Sequence, residues 1–502
     1  MSSQFLLGIA QGTSGSKAVI IDDQGSLCGH GHRPLERLYP QPGYVEQDPY
    51  AVAQSVAGAV TSAIDAAGCS PDQIVACGIT SQRNTEFAWD RQSGRPIGNA
   101  VTWQDLRTVP MLQEVQQLPF ASEARYRLGY PPGTYMTAVH LAWRMRFQEE
   151  LRAAAQKGTL QLGLSAAWLI KALGRPSEHA MDTSLVQAMG LYDFRSGAYW
   201  AEWLDWIGVP LDALPRATPT LHNFGMLNVS GSDGRSAAIP VRAMIGDQQA
   251  ALFGHSKRRP GDAECTHGTS SFVKVFMGGQ APDFEKTNVF YAWHLGDEQT
   301  YCLEAPTTAS GSAIRWMRDN ARLFDEYEEM DSLAGSVDDS GGVFFVPAFT
   351  GLDVPYNNPS ARATLLGLTL GHDRGHILRA FFESIGYQIR AILETIDSEA
   401  DVSVEQLLVG GGVSASDLAC QIQADLTGIP TLRPTFSETT AWAAALLAGL
   451  GANVWSSPDD LPPLPGDYER FDPALDSRQR DAGYQRWQQA INLVSAWGRA
   501  KF

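Results

Sequence analysis

The sequence predicts a mixed α/β chain built as two large lobes, and three observations predict it. At 502 residues the chain exceeds what one hydrophobic core fills, so two domains are expected. Period-two apolar alternation and four-residue apolar spacing interleave along it, as strands and helices do. A Gly-Thr-Ser turn followed by alternating apolar residues occurs at Gly12 and again 256 positions on, at Gly268. Two unrelated β-turns explain that repeat as readily as two lobes of similar build, because Gly and Ser are common turn residues.

The elements follow in order. Residues 5–10 are apolar, residues 11–16 form a tight polar turn, and residues 17–21 resume the apolar run before a turn at Asp22–Gly25. That is a β-hairpin opening a sheet. Val52, Val56, Val60 and Ile64 mark a helix over 48–67. Ile74–Ile79 reads as a buried strand, and Phe87–Trp89 runs into a hairpin turn at 90–94. Residues 255–262 are polar and contain Pro260 and Gly261, which puts a lobe boundary there and predicts domains 1–254 and 255–502. Residues 265–276 repeat the first hairpin. Ile377, Phe381, Ile385, Ile389, Ile392 and Ile396 give an amphipathic helix over 376–397. A strand over Val404–Val409 leads into Gly410, Gly411 and Gly412, and a helix runs from Ser416, a plausible N-cap, to Leu426, with Gly428 as its stop. The Pro-, Asp- and Trp-rich tail beyond Asn453 gives no assignable element.

Composition excludes several classes. The formal charge of −17, from 38 basic and 55 acidic residues, argues against a nucleic-acid partner, which needs basic stripes. The six cysteines are scattered without C-x-x-C spacing, as in reduced cytoplasmic proteins. The N-terminus lacks a basic segment and a long apolar run, so no signal peptide is expected, and no window reads as a membrane helix. A cytoplasmic protein without a membrane partner is the expectation.

Three groups of residues suggest chemistry. The two Gly-Thr-Ser turns offer N–H groups and hydroxyls to an anion. No Gly-Lys dipeptide exists, which removes a Walker A loop. The spacing Gly410-x-Gly412-x-x-Ala415 fits a loose dinucleotide fingerprint, yet serves a nucleotide phosphate or ribose equally well. Asp247 ends an apolar strand and opens a helix. It fits a base that takes a proton from an attacking hydroxyl, and it fits an N-cap. Gln82, Arg83, Asn84, Thr85, Trp103, Gln104, Asp105 and Tyr135 mix hydrogen-bonding groups with aromatic planes, as a polyol requires.

In this order the pieces resemble the FGGY family of carbohydrate kinases, nearest to its glycerol kinases. The likeness lies in Tyr39–Asp48 (Y-P-Q-P-G-Y-V-E-Q-D), Gly78–Arg83, Trp89–Pro96, Thr102–Asp105, Gly246–Gly254 (G-D-Q-Q-A-A-L-F-G), Val346–Leu352, Pro355-Tyr356 and Gly367–Thr369. It runs from about residue 6 to about 450. The resemblance implies two ribonuclease-H-like lobes of the actin-like ATPase fold with a central cleft, an ATP-dependent kinase, and ATP and Mg2+ as cofactors. By the same resemblance Asp247 is the general base and faces the metal. Arg83, Asn84, Trp103, Tyr135, Asp247, Gln248 and Phe272 line the polyol or sugar site. Gln11, Gly12, Thr13, Ser14 and Lys17 hold the phosphates, and Gly268, Thr269, Gly311, Arg315, Gly411, Gly412 and Ser416 surround ATP. Family members are often dimeric or tetrameric, so a homo-oligomer is implied too.

Four departures stand out. Ala10 occupies the position of the family's first-loop Asp, which helps to position Mg2+. An engineered substitution, a weak or repurposed kinase, and a different carboxylate at the metal all account for it. Asn84 replaces the Glu of glycerol kinases, which points away from glycerol and towards another polyol or a ketose. Lys17 replaces Arg, keeping charge without the bidentate fork. Arg315 and Ser416 differ near adenine, which leaves the nucleotide preference open. Two further readings compete with a kinase: a pseudokinase that binds without transfer, from Ala10, and a dinucleotide-dependent oxidoreductase, from the 410–415 glycines.

Overall fold

The structure, a computed structural model, describes residues 4–256, 258–307 and 309–499. It divides into two compact units. The first comprises Met1–Gly254, Phe290–Tyr301 and Glu438–Pro465; the second comprises His255–Val289, Cys302–Ser437 and Gly466–Phe502.

Among the described residues the first unit is built on seven strands: β1 (Phe5–Gln11), β2 (Gly15–Ile21), β3 (Leu27–Pro34), β4 (Ile74–Ser81), β5 (Gly174–Pro176), β6 (Leu221–Ser230) and β7 (Ser236–Gly246). Their order is β3-β2-β1-β4-β7-β6-β5. β1 and β2 form the hairpin that the alternation predicts, while β4 runs parallel to β1 and β7 parallel to β4. A parallel neighbour needs a crossover, and helix α1 (Pro49–Ala67) lies on the chain between β3 and β4. Asp48 starts α1 by accepting the Tyr50 and Ala51 N–H groups at 2.8 and 3.4 Å, and Gly68, with φ 63°, ends it. Helix α2 (Thr137–Phe147) follows later in this unit, and α3 (Asp247–His255) continues directly from β7.

Among the described residues, five strands of one sheet lie wholly in the second unit: β8 (Ala263–His267), β9 (Ser271–Gly278), β10 (Leu407–Gly410), β11 (Thr431–Pro434) and β12 (Tyr468–Phe471). They run in the order β9-β8-β10-β11-β12. β8 and β9 are antiparallel, and β8, β10 and β11 are parallel in turn. This is the arrangement of β2-β1-β4-β7. The repeated Gly-Thr-Ser turn therefore joins the first two strands of the same sheet topology in both units, which decides between the two readings of the repeat. Helices α4 (Gly311–Asp319), α5 (Arg374–Ala400) and α6 (Asp417–Thr427) belong here. Ser416 caps α6 by accepting the Ala419 N–H at 3.0 Å, and Gly428 ends it at φ 78°.

The strand expected at Val404–Val409 is Leu407–Gly410, because α5 extends to Ala400 and Asp401 turns its end in a left-handed conformation. The tail without assignable elements holds β12 and a helix over Ser477–Arg499.

Helix α7 (Thr439–Gly451) joins the first unit although it comes late in the chain. It is apolar all round, and Ala441 through Leu450 are buried. It rests on two facing glycines, Gly8 of β1 and Gly78 of β4, which are Cα partners. A Cβ on Gly8 would stand 1.9 Å from the Ala441 carbonyl oxygen, and one on Gly78 1.9 Å from that of Ala444. The missing side chains let helix backbone touch sheet backbone.

Candidate functional site

The carboxyl ends of β1, β4 and β7 end level. Gln11 and Ser81 are register partners, and Ser81 and Gly246 are register partners. Just past that row come the Gly12–Ser14 turn, the Gln82–Thr85 segment and Asp247. Adjacent strands are about 4.8 Å apart, so three chain reversals crowd into some 10 Å. Loops at the carboxyl ends of parallel strands are where open α/β sheets bind ligands.

The first turn is held by amides and an indole. Thr13 Oγ1 donates to Gln82 Oε1 at 3.0 Å and accepts from Trp103 Nε1 at 3.0 Å. Gln47 Nε2 donates to the Thr13 carbonyl at 2.8 Å. Gln82 Nε2 donates to Gln47 Oε1 at 2.9 Å and to Gln11 Oε1 at 3.3 Å. Gln11, Gln47 and Gln82 are all buried. A satisfied network of neutral side chains fixes the turn without adding charge where an anion would sit. Gln47 escaped the sequence reading, because nothing local marks it; it meets the turn only through the fold.

Arg83 and Asp247 face each other, with Nε 4.0 Å from Oδ1. The Arg83 guanidinium lies over the Phe290 ring, 4.7 Å from its centroid. Phe290 packs on Tyr130 at 4.8 Å, and Tyr130 stacks on Tyr135 at 6.3 Å. Asp247 is the first residue of α3, its Oδ1 accepts the Gln248 N–H at 2.8 Å, and its side chain is 31% exposed. Asn84 adopts φ 54°, the left-handed region that Asn tolerates, and its Oδ1 accepts the Thr137 N–H at the start of α2 at 3.4 Å. Arg83, Asn84, Trp103, Tyr135, Asp247 and Gln248 all belong to the first unit; Phe272, opposite Thr266 on β9, belongs to the second. Phe290 was missed, since its strand reads as ordinary core.

Behind Asp247, the Gly246 N–H donates to Ser184 Oγ at 2.9 Å, and that hydroxyl donates to Asp182. Asp182 is fully buried, and desolvation pushes its carboxyl up from 3.8 to about 7. A raised value means the folded state keeps its proton longer than the unfolded chain. This contribution to stability is therefore fully present below the unfolded value and is lost as pH rises between those two values. Asp182→Asn should flatten that part of the stability profile, as read from denaturation midpoints across the window.

Among the described residues of the second unit, a cavity of about 590 Å³ is lined by Gly268, Thr269, Gly311, Arg315, Gly412 and Ser416, with Ile314, Phe382 and Val413 among its apolar faces. The Gly311 N–H donates to the Gly268 carbonyl at 2.9 Å, and the Ser310 and Ser312 N–H groups both donate to the Thr269 carbonyl at 3.1 Å. Gly411 lies under the cavity edge at φ 90°, where a Cβ would stand 2.3 Å from the His267 carbonyl oxygen. His267 itself is buried, and desolvation lowers its imidazole to about 4. It is therefore neutral at pH 7: Nε2–H donates to Gln423 Oε1 at 2.9 Å and Nδ1 accepts from Ser271 Oγ at 2.7 Å. This bridge, which pins the base of the turn, was also missed. Gln11, Gly12, Thr13, Ser14 and Lys17 stand at the first unit's turn, where Lys17 Nζ lies 2.9 Å from Glu438 Oε1.

No helix among the described residues is long and apolar enough to cross a membrane. The glycines at 410–412 follow β10, which lies parallel to both of its neighbours, β8 and β11, and they precede helix α6, a setting that serves a nucleotide phosphate or ribose as well as a dinucleotide.

The N-terminal domain model of the FGGY family of carbohydrate kinases matches residues 5–254, and its C-terminal domain model matches residues 263–452. Glycerol kinase of Symbiobacterium thermophilum is 36% identical over 498 residues, 99% of each chain. Glycerol kinase 2 of Thermotoga maritima is 34% identical over 497 residues, 98% of this chain and 99% of that one. Among solved structures, Plasmodium falciparum glycerol kinase with ADP superposes with a TM-score of 0.88 at 25% identity, covering 100% of this chain and 99% of that one. Xylulose kinase from Rhodospirillum rubrum, at 20% identity and a TM-score of 0.86 over 99% and 100% of the two chains, shares the fold, which is that of the actin-like ATPases. A pseudokinase has no support among these relatives. With both halves of its sequence matched and its fold shared, the chain belongs to the FGGY family of carbohydrate kinases.

Proposed function

We propose that this ATP-dependent kinase transfers the γ-phosphoryl group to a hydroxyl of a small polyol or sugar other than glycerol, with Asp247 as the general base. The observation that carries the reading is the level row of Gln11, Ser81 and Gly246, which sets Asp247 two strands from the Thr13 turn. The turn's N–H groups and the Thr13 and Ser14 hydroxyls suit the β- and γ-phosphates. Lys17 adds a cation beside them. The cavity edged by Gly268, Gly311 and Gly412 suits a flat base between Ile314, Phe382 and Val413, with Arg315 and Ser416 at its polar rim.

On the acceptor side, Arg83, Gln248 and Asn84 offer hydrogen bonds, and Tyr135 and Trp103 offer planes for C–H faces. Asp247 accepts the proton of the attacking hydroxyl, and Arg83 holds the carboxylate by attraction. Mg2+ neutralises charge on the transferred group when bound. Asn84 carries the argument against glycerol: its Oδ1 already accepts the Thr137 N–H at 3.4 Å, which leaves an NH2 donor for the substrate where a glutamate would accept hydrogen bonds from a hydroxyl. We place the reaction in the cytoplasm, from the reduced cysteine pattern.

Coupled ADP release across glycerol, erythritol, ribitol, xylulose and ribulose tests this reading. Turnover with a four- or five-carbon acceptor well above that with glycerol is expected. No turnover with any of them would overturn it.

A further inference from the structure

We infer that Glu86 and His140 are positioning residues for the acceptor: their buried contact sets the distance between the strand behind Arg83 and Asn84 and the helix behind Tyr135. This rests on the kinase reading above. Both walls belong to the first unit. Arg83 and Asn84 lead into the strand Glu86–Asp90, and Tyr135 leads into α2.

Helix α2 is bonded to that strand and its return at three successive turns. At its start the Thr137 N–H donates to Asn84 Oδ1 at 3.4 Å. One turn on, His140 Nδ1 lies 3.1 Å from Glu86 Oε2. One turn further, Arg144 Nη1 lies 3.7 Å from Glu86 Oε1, and Arg144 Nη2 donates to the Ile97 carbonyl at 2.7 Å. Spacings of three and four put 137, 140 and 144 on one helix face. Glu86 cannot itself drift, since its backbone pairs with Val101 on one side and Leu164 on the other. Val101 in turn stands two residues before Trp103, which holds Thr13. The start of α2, and Tyr135 just ahead of it, therefore take their place from this carboxyl.

Core packing alone does not account for this cluster. Glu86, His140 and Arg144 are all 0% exposed. Glu86 Oε1, His140 Nε2 and Arg144 Nη1 find no hydrogen-bond partner among the described residues. Burying such groups costs more than an imperfect pairing returns, and apolar side chains of the same volume would stabilise the fold at least as well. What apolar side chains lack is direction. Their contacts let a helix slide along a sheet, whereas a hydrogen bond fixes distance and angle. Asn84 needs that restraint, because its left-handed turn at φ 54° gives one amide to both the helix start and the acceptor.

Coupled ADP release with the best acceptor of the panel, read as KM and kcat separately, tests the assignment. His140→Leu removes the contact and should raise the acceptor KM about tenfold or more, with kcat and ADP affinity within a few-fold of the parent. His140→Asn puts an amide nitrogen near the place of Nδ1 and should recover most of the loss. The double variant Asn84→Gly/His140→Leu should raise KM by less than the product of the two single effects, because both act at the start of α2. A cluster that only stabilised the fold would lower the thermal midpoint and leave KM alone. An unchanged KM in folded His140→Leu would overturn the inference, as would a His140→Asn variant equally weak or fully multiplied effects in the double variant. Should His140→Leu fail to fold, Glu86→Asp decides: it keeps the carboxyl and shortens its reach, and an unchanged KM there also overturns the inference. Absence of parent turnover with every acceptor defeats the kinase reading and this inference with it; parent turnover with unaltered variants defeats the positioning role alone.

Discussion

Asp247→Asn should lower kcat by roughly 10²–10⁴-fold while ADP affinity stays within a few-fold of the parent. The substitution keeps the side chain's shape and an oxygen to accept the Gln248 N–H, which lies 2.8 Å away in the parent. It removes only the capacity to take a proton. Asp247 and its neighbours Arg83 and Gln248 do not line the cavity assigned to the nucleotide base, so binding there is expected to hold. Coupled ADP release gives kcat, and calorimetry with ADP gives affinity. A loss of less than tenfold would return Asp247 to the helix-start role that its sequence position equally suggested.

The second large effect is on stability. Gly78→Ala adds one methyl, yet its Cβ would stand 1.9 Å from the Ala444 carbonyl oxygen and 2.6 Å from its carbon. Those are helix backbone atoms, which cannot rotate away as a side-chain tip does. Relief requires α7 to lift from β1, β4 and β7 together, and overpacking of this kind costs about 3 kcal/mol or more. Urea denaturation should show a much lower midpoint, with Gly410→Ala as the control, because a Cβ there meets nothing within 4 Å. An unchanged midpoint in Gly78→Ala would mean that the helix does not sit on the sheet as described.

Local chemistry was legible in the sequence. Asp48 and Gly68 bound α1, and Ser416 and Gly428 bound α6, because caps are decided within a few residues. The two hairpins with Gly-Thr-Ser turns were legible for the same reason, and their equivalence became certain only when strand order was known. What stayed hidden depends on contacts between distant segments. Thr13 is held by Gln47, Gln82 and Trp103, from three separate stretches of chain. Phe290 lies on a strand whose sequence, N-V-F-Y-A-W-H-L, announces only burial. Helix α7 has no polar face, so no periodic stripe tells which sheet it covers. Asn84 shows the reverse case: the residue was singled out by resemblance, and its left-handed backbone supplies a physical reason for Asn that sequence alone could not.

Phosphorus NMR on a reaction with ATP, Mg2+ and the best acceptor from the panel tests the central claim most directly, namely that the Thr13 turn and Asp247 act on one phosphoryl transfer. A phosphomonoester signal growing in equal amount with ADP is the predicted result. ADP accompanied by inorganic phosphate instead, with no phosphorylated acceptor, would contradict it.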